Sequence, residues 1–386
     1  MDNIKVALFS NHPTQWESPF FGYLNRNSMI DIEVFYGSKL GFKKLSESES
    51  GYKLEFDIPG LMDGYKYYFI ENEHDLIGLF KKINGKYDAF IIEGHYGTIQ
   101  RKAIWYGLKN KMPMIYRSDS TLLYNSPVIK RILRKIILPV FLKLFKSFLP
   151  LSTPASEFLK HYGVHNGKIF ISPYMLNNDW YYELADNYRK NKINLKKELG
   201  LEQFEHIALA ILKLEDRENP IEFLAVAELL KTRIPSLGFV LIGDGTKRKK
   251  VEEFIAVKKL HNVVLPGYLK LSELPKYYSI ANVFIHPAKE ECWGLSVNEA
   301  MASQVPVIVS TGLGCRFDLL PSEEFGFVYP IGDLSTLSSL IQKIITDKDL
   351  SIQISRNAKL KIEDISYKKA AKEFENAIKF CFSAKQ

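Results

Sequence analysis

The sequence predicts an α/β protein of two doubly wound, Rossmann-like domains facing across a cleft. Three observations predict it. Short apolar, β-rich runs alternate with helix-like runs from residue 4 to about residue 173. The alternation stops over 177–205, which is polar, aromatic and charged, and restarts at residue 207. Regular strand–helix alternation implies parallel sheets covered by helices on both faces. A length of 386 residues suits two domains of ordinary size.

The elements read in chain order as follows. Ile4–Ser10 is a buried strand, broken by Asn11-His12-Pro13-Thr14. Ser18–Asn25 is a helix and Ile32–Tyr36 a strand. The Gly- and Ser-rich stretch 38–65 predicts no regular element. Asp88–Glu93 is a strand ending in Gly94-His95-Tyr96-Gly97, Thr98–Lys109 a helix, and Pro113–Arg117 a strand. Residues 177–205 form the linker between domains 1–176 and 206–365. In the second domain Ile207–Leu212, Leu237–Ile242, Val283–His286 and Val305–Ser310 are strands. Pro220–Thr232, with proline in its first turn, Val251–Lys258 and Ser272–Ser279, capped by Ser272, are helices. Ser366–Phe382 carries a helical apolar stripe, so 366–386 is a terminal helix that can pack back on the first domain.

Composition narrows the function. Apolar residues make up 46% and charged residues 25%. That balance excludes a disordered chain and a multi-span membrane protein. No run reaches about 18 consecutive apolar residues, so no transmembrane helix is expected. Met1–Ser10 lacks the basic head and apolar stretch of a signal peptide. Cys292, Cys315 and Cys381 form no Cys-x-x-Cys pair and no zinc spacing, which reads as reduced thiols in the cytoplasm. The net charge of +8 favours an anionic partner, although solubility alone also accounts for it. No helix-turn-helix, zinc or aromatic-basic signature supports nucleic acid. No Asp-x-Asp pattern suggests a divalent cation, so neither metal nor cofactor is expected.

The most informative segment is 291–302, Glu-Cys-Trp-Gly-Leu-Ser-Val-Asn-Glu-Ala-Met-Ala. Glu291 and Glu299 lie eight positions apart, and Gly294 allows a tight backbone before a helix opening near Leu295. The N–H groups of Leu295, Ser296 and Val297 would then form an anion site suited to a diphosphate. Glu299 could accept hydrogen bonds from ribose hydroxyls, and Glu291 could hold hydroxyls of a transferred sugar. In isolation such a pair of glutamates reads first as solvated side chains or helix caps.

The surrounding motifs give this segment its meaning. Residues 291–310, then Gly312-Leu-Gly-Cys315 and Gly326-Phe-Val-Tyr-Pro330, follow Gly243-Asp-Gly, Pro266-Gly-Tyr268 and Ala281-Asn-Val-Phe-Ile-His-Pro287 in order. As a set they resemble glycosyltransferase family 4, the retaining enzymes of GT-B fold, over roughly 207–345. The resemblance implies a nucleotide-diphosphate-sugar donor in the C-terminal domain and an acceptor in the N-terminal domain, with no metal. It implies that Glu299 binds the ribose and Glu291 the sugar. The backbone at Gly294, Leu295, Ser296 and Val297 would meet the diphosphate, with Gly243, Gly267 and Tyr268 also on the donor side. Lys213 would neutralise the leaving diphosphate.

One position departs from the pattern. The family places a second cation five residues after Lys213, where this chain has Glu218, and a carboxylate repels a diphosphate at short range. Either the adjacent Arg217 replaces that cation, or leaving-group stabilisation is weaker, or the site is degenerate and the protein binds nucleotide-sugar or glycan without turnover. An epimerase or phosphorylase on the same architecture ranks below these.

On the acceptor side His12, His95, Arg117 and Asp119 all fall at carboxyl ends of predicted strands, where ligands bind. His95 and Asp119 form the preferred catalytic pair, with His12 and Arg117 as acceptor contacts. Residues 128–149 carry a sustained apolar helical stripe with six cations and no acid, interrupted by Pro139. Such a helix can lie on an anionic membrane or pack on the sheet. Residues 148–152 read alternatively as strand. The resemblance therefore implies a glycan or lipid-linked acceptor, cell-surface polysaccharide or lipopolysaccharide assembly, and a cytoplasmic enzyme, at the inner face of the membrane if 128–149 docks there.

Overall fold

The computed structural model describes residues 3–40, 45–46, 53–54, 60–70, 78–81, 83–124 and 127–383. The chain divides into two compact units. The first comprises Met1–Leu45, Leu54–Leu176 and Ile365–Gln386, and the second Asn177–Asp364 with Ser46–Lys53. The 38–65 stretch lies largely outside the described residues.

The first unit is built on six strands: β1 Ile4–Ser10, β2 Ile30–Tyr36, β3 Lys66–Phe69, β4 Ala89–Glu93, β5 Met114–Ser118 and β6 Ser147–Pro150. Their order is β3-β2-β1-β4-β5-β6, paired in parallel throughout. The second unit has β7 His206–Ile211, β8 Leu237–Ile242, β9 Val263–Gly267, β10 Val283–His286, β11 Val307–Ser310 and β12 Phe327–Tyr329. Their order is β9-β8-β7-β10-β11-β12, again parallel. Counted within each unit, both sheets run 3-2-1-4-5-6. That is the doubly wound order, whose crevice opens where the first strand meets the fourth. The inner strands read as apolar runs because helices cover both faces. β8 is buried along its whole length.

Each unit has its own core. Phe9, Phe35 and Phe90 stack and cross in the first. Phe223 and Phe239 meet edge-on in the second, with aliphatic residues from β7, β8 and β10 around them.

Four expectations are corrected. The 177–205 linker holds two helices, Asn178–Arg189 and Lys192–Glu198. The Asn177 side chain caps the first by accepting from Trp180 N–H at 3.2 Å. Tyr181 and Ala185 bury its inner face, and Arg189 donates to the Ser303 carbonyl at 2.6 Å. Ser272 does not cap a helix; it lies in the 3-10 turn Leu271–Glu273, and the helix begins at Leu274 with Pro275 in its first turn. The amphipathic run 128–149 is helical only to Leu142, and its end becomes β6. β3, β9 and β12 join the sheets beyond the predicted strands.

The terminal helix, Tyr367–Phe382, is part of the first unit. Its stripe buries Ala370, Phe374 and Ala377, with the Phe374 ring 5.2 Å from that of Phe20. Ser147 of β6 donates to the Ala377 carbonyl at 2.8 Å.

Candidate functional site

In the second unit the switch point lies between β7 and β10, and the residues singled out above converge there. The loop after β7 carries Lys213, Arg217 and Glu218, and the loop after β10 carries Glu291. Arg217 joins the two loops. Its guanidinium contacts the Glu291 carboxylate at 2.5 Å and Glu218 at 3.3 Å. Its carbonyl accepts from Lys289 N–H at 2.7 Å. Lys213 is half-buried, two residues past Ile211, the last of the strand.

The Gly312-Leu-Gly314 turn seats Glu291. Glu291 N–H donates to the Gly312 carbonyl at 3.1 Å, and Gly314 N–H to the Glu291 carbonyl at 2.8 Å. A Cβ on Gly312 would stand 2.3 Å from the Ala288 carbonyl oxygen, and one on Gly314 2.1 Å from that of Cys292. Both glycines are therefore fixed by close backbone approach.

The helix opens at Leu295 as expected and runs to Ala302, with Gly294 before it at φ 92°. One expected donor is already used: Val297 N–H bonds to the Gly294 carbonyl at 3.0 Å. The N–H groups of Leu295 and Ser296 remain as the helix-end donors. Trp293 is buried and donates from its indole to Asn298 at 2.8 Å, locking the turn.

Glu299 lies one turn into this helix and is buried. Tyr278 donates to one of its carboxylate oxygens at 2.7 Å. Burial raises the Glu299 pKa, and the Tyr278 hydrogen bond opposes the rise.

Glu218, the departure from the family pattern, is also buried. Burial first, then the neighbouring Glu291, pushes it up to about 8. The shift favours its neutral form, which weakens the repulsion a carboxylate would exert on a diphosphate. His286, at the end of β10, has Nε2 at 3.7 Å from Glu218. Burial, then Arg217, pulls His286 down to about 3, so its ring is neutral as well.

Gly243 and Gly267 support the loop rather than pointing groups outward. Gly243 N–H donates to the Gly267 carbonyl at 2.9 Å, and a Cβ on Gly243 would lie on the Leu212 carbonyl. Gly243 thus lets the residues before Lys213 pass. Tyr268 follows β9 and is 44% exposed.

The first unit treats its predicted residues less evenly. Arg117 is fully buried inside β5, its Nη2 at 2.8 Å from Glu17 and its Nε at 3.5 Å from Glu93. The Trp16 and Phe374 rings cover it at 5.5 Å and 5.2 Å. It is a structural ion pair and cannot reach an acceptor, which corrects its assignment. His95 and Asp119 do not pair with one another. His95 Nδ1 shares a hydrogen bond with the Tyr116 hydroxyl at 2.7 Å, and Asp119 accepts from Tyr174 at 2.9 Å. Burial, then Arg134, lowers the His95 pKa. His12 Nδ1 lies 2.8 Å from the Pro13 carbonyl, close to β1.

Sequence reasoning passed over Tyr278, Tyr116 and His286. His286 alone had a signal, its place at a strand's carboxyl end. The two tyrosines are brought in by packing from distant segments.

Residues 191–361 match the family model described as Glycosyl transferases group 1. The chain is similar to alpha-monoglucosyldiacylglycerol synthase from Acholeplasma laidlawii, 29% identical over 148 residues, covering 38% of this chain and 36% of that protein. Matches to the curated relatives span about a third to a half of their length. A glycosyltransferase structure from Rickettsia africae superimposes with a TM-score of 0.77 at 14% identity, covering 99% of this chain and 100% of that one. Anabaena HepE in complex with UDP and glucose superimposes with a TM-score of 0.72 at 13% identity, covering 97% and 98%. The fold is thus that of the GT-B glycosyltransferases, with two Rossmann-like units.

Proposed function

We propose that this chain is a hexosyltransferase-type, retaining glycosyltransferase of family 4. In this reading it moves a sugar from a nucleotide diphosphate sugar to a hydroxyl of a glycan or lipid-linked acceptor, in bacterial cell-surface polysaccharide or lipopolysaccharide biosynthesis. One observation carries it: Arg217 bridges to Glu291 at the switch point of the second unit. Lys213 and the Leu295–Ser296 helix end belong to the same strand-end loops.

The assignment of roles follows from the charges. Lys213 and Arg217 stabilise negative charge developing on the departing diphosphate, without a metal. The Leu295 and Ser296 amides, with the backbone at Gly294, hold its oxygens. Glu291 orients the sugar and Glu299 the ribose; Gly243, Gly267 and Tyr268 shape the nucleotide side. Transfer breaks the bond from the anomeric carbon to the diphosphate oxygen and forms one to the acceptor oxygen. The acceptor proton passes to the diphosphate, and attack on the departing face retains configuration. His95, Asp119 and His12 of the first unit serve the acceptor. The relatives' names support this range of acceptors, one being a diacylglycerol lipid synthase. A cytoplasmic enzyme working at the inner membrane face is consistent with the exposed apolar stripe and the cations of Val128–Leu142.

Glu218 favours a second reading, a nucleotide-sugar or glycan binder without turnover. Its burial, which favours the neutral carboxyl and so weakens repulsion of a diphosphate, weighs for the transferase. The deciding experiment follows nucleoside diphosphate release from a panel of nucleotide-sugars as candidate acceptors are added. Acceptor-dependent release supports transfer; donor binding with no release under any pairing supports the binder.

A further inference from the structure

Glu299 is a carboxyl group in a dry place. It is 2% exposed, one turn into the helix Leu295–Ala302. A carboxyl group buried without donors takes up a proton; it then offers an O–H and gives up acceptor capacity. A ribose asks for the opposite, because its two neighbouring hydroxyls both have protons to donate. The residues packed around Glu299 supply what keeps it an acceptor.

Two tyrosine hydroxyls meet it. That of Tyr278, from the helix Leu274–Ile280, donates to Glu299 Oε2 at 2.7 Å and lies 3.3 Å from the Ser296 carbonyl. That of Tyr181, from the helix Asn178–Arg189, is the second. Burial raises the Glu299 pKa, and the hydrogen bonds from Tyr278 and then Tyr181 bring it down. Burial, then Glu299, pushes the Tyr278 hydroxyl up, so Tyr278 keeps its proton and is the donor. Tyr278 is itself fully buried and cannot touch a ligand. Its ring stands edge-on to Tyr181 at 6.3 Å and tilted against Phe284 at 5.9 Å. Ser296 opens the same helix three positions before Glu299, so one buried hydroxyl braces the first turn against the glutamate. The helix that carries Tyr181 also holds the far end, through Arg189 on the Ser303 carbonyl at 2.6 Å.

We propose that Tyr278, backed by Tyr181, is a positioning residue for the ribose: its hydroxyl fixes the Glu299 carboxylate as an acceptor for the sugar hydroxyls and so sets a preference for ribonucleotides over deoxyribonucleotides. This role rests on Glu299 holding the ribose, as proposed for the donor. The charged acceptor takes the better share of the Tyr278 proton, since a hydrogen bond to a carboxylate is shorter and stronger than one to a carbonyl. A tyrosine kept for packing alone would need its ring and not its hydroxyl.

The test is calorimetric titration of the full chain with UDP, GDP and ADP, each beside its 2′-deoxy form. The wild type is expected to bind at least one ribonucleotide and to prefer it over its 2′-deoxy form by about tenfold or more, the worth of a hydrogen bond to a charged group. Tyr278→Phe should cut that preference to about threefold or less while affinity for the 2′-deoxy form stays within about twofold. Glu299→Ala should abolish the preference, and adding Tyr278→Phe to it should change nothing further. Tyr277→Phe, at the neighbouring position, should keep the wild-type preference. Tyr181→Phe should lower the preference by about threefold, and it decides in place of Tyr278→Phe if that variant does not fold. Equal weakening of both forms by Tyr278→Phe, or an unchanged preference, would overturn the positioning role and leave the donor site standing. A wild type that binds no nucleotide, or binds both forms alike, would overturn the ribose role of Glu299 and this one with it.

Discussion

Two arginine–glutamate pairs sit in two units whose sheets share one strand order, and they do opposite work. Arg117 and Glu17 in the first unit are both buried, under aromatic rings. Arg217 and Glu291 in the second unit lie between two strand-end loops, with 39% and 19% of their side chains exposed. The chemical groups are the same and the burial differs. A buried pair loses hydration that its mutual attraction must offset, so removing one partner leaves an uncompensated charge. A half-exposed pair can open to a ligand at small cost. The difference teaches that an arginine at a strand's carboxyl end is a binding residue only if water, and so substrate, can reach it.

Substitutions at the two pairs should have opposite consequences. The largest expected effect is Arg117→Ala, which should destabilise the protein by about 3–5 kcal/mol in chemical denaturation. Replacing both partners, Arg117→Met with Glu17→Leu, should recover much of the loss. Next is Arg217→Ala. It should lower turnover about 10²–10³-fold, as loss of an electrostatic transition-state contact does, with little change in unfolding. No double change at Arg217 and Glu291 should restore it. If Arg217→Ala unfolds the protein as readily as Arg117→Ala, the contrast between the pairs is wrong.

Smaller effects sharpen the second site. Gly312→Ala forces a Cβ onto two backbone carbonyls and should cost about 1–3 kcal/mol, with a further loss of donor affinity as Glu291 shifts. The smallest effect is on pH dependence. Glu218 is pushed up to about 8 in the folded protein from an unfolded value near 4.5. Between those values the folded state holds a proton that the unfolded state has released, so this group's contribution to stability falls as pH rises from 4.5 to 8. Donor affinity should likewise fall as pH passes 8, where Glu218 becomes an anion. Glu218→Gln should remove that fall and leave activity at neutral pH largely intact, measured by donor titration across the range.

Much of the fold was legible because the inner strands are covered on both faces. All eight inner strands of the two sheets read as short apolar runs, from β1 through β11. The four edge strands did not. β3 is Lys-Tyr-Tyr-Phe, alternately exposed, and β12 is three residues long. β6 was hidden at the end of a longer apolar helix pattern and appeared as the alternative reading. The 177–205 helices were missed because their buried faces are small and their polar faces wide. At the site, Glu291, Gly294 and the helix start at Leu295 were legible from local spacing. The burial of Arg117 and Glu218 was not, since it depends on side chains brought in from residues such as Trp16, Phe374 and His286. Val297 was misread because hydrogen bonding in a first helical turn cannot be read from spacing.

Donor binding to the second unit is the most direct test of the assignment. Thermal unfolding of the wild type should be followed against a panel of nucleoside diphosphates and their sugars, beside Arg217→Ala and Glu299→Ala. At about a hundredfold excess over the dissociation constant, one of them should stabilise the wild type by roughly 2.7 kcal/mol, and neither variant should respond to it. A wild type indifferent to every nucleotide, or variants stabilised as fully as the wild type, would contradict the assignment.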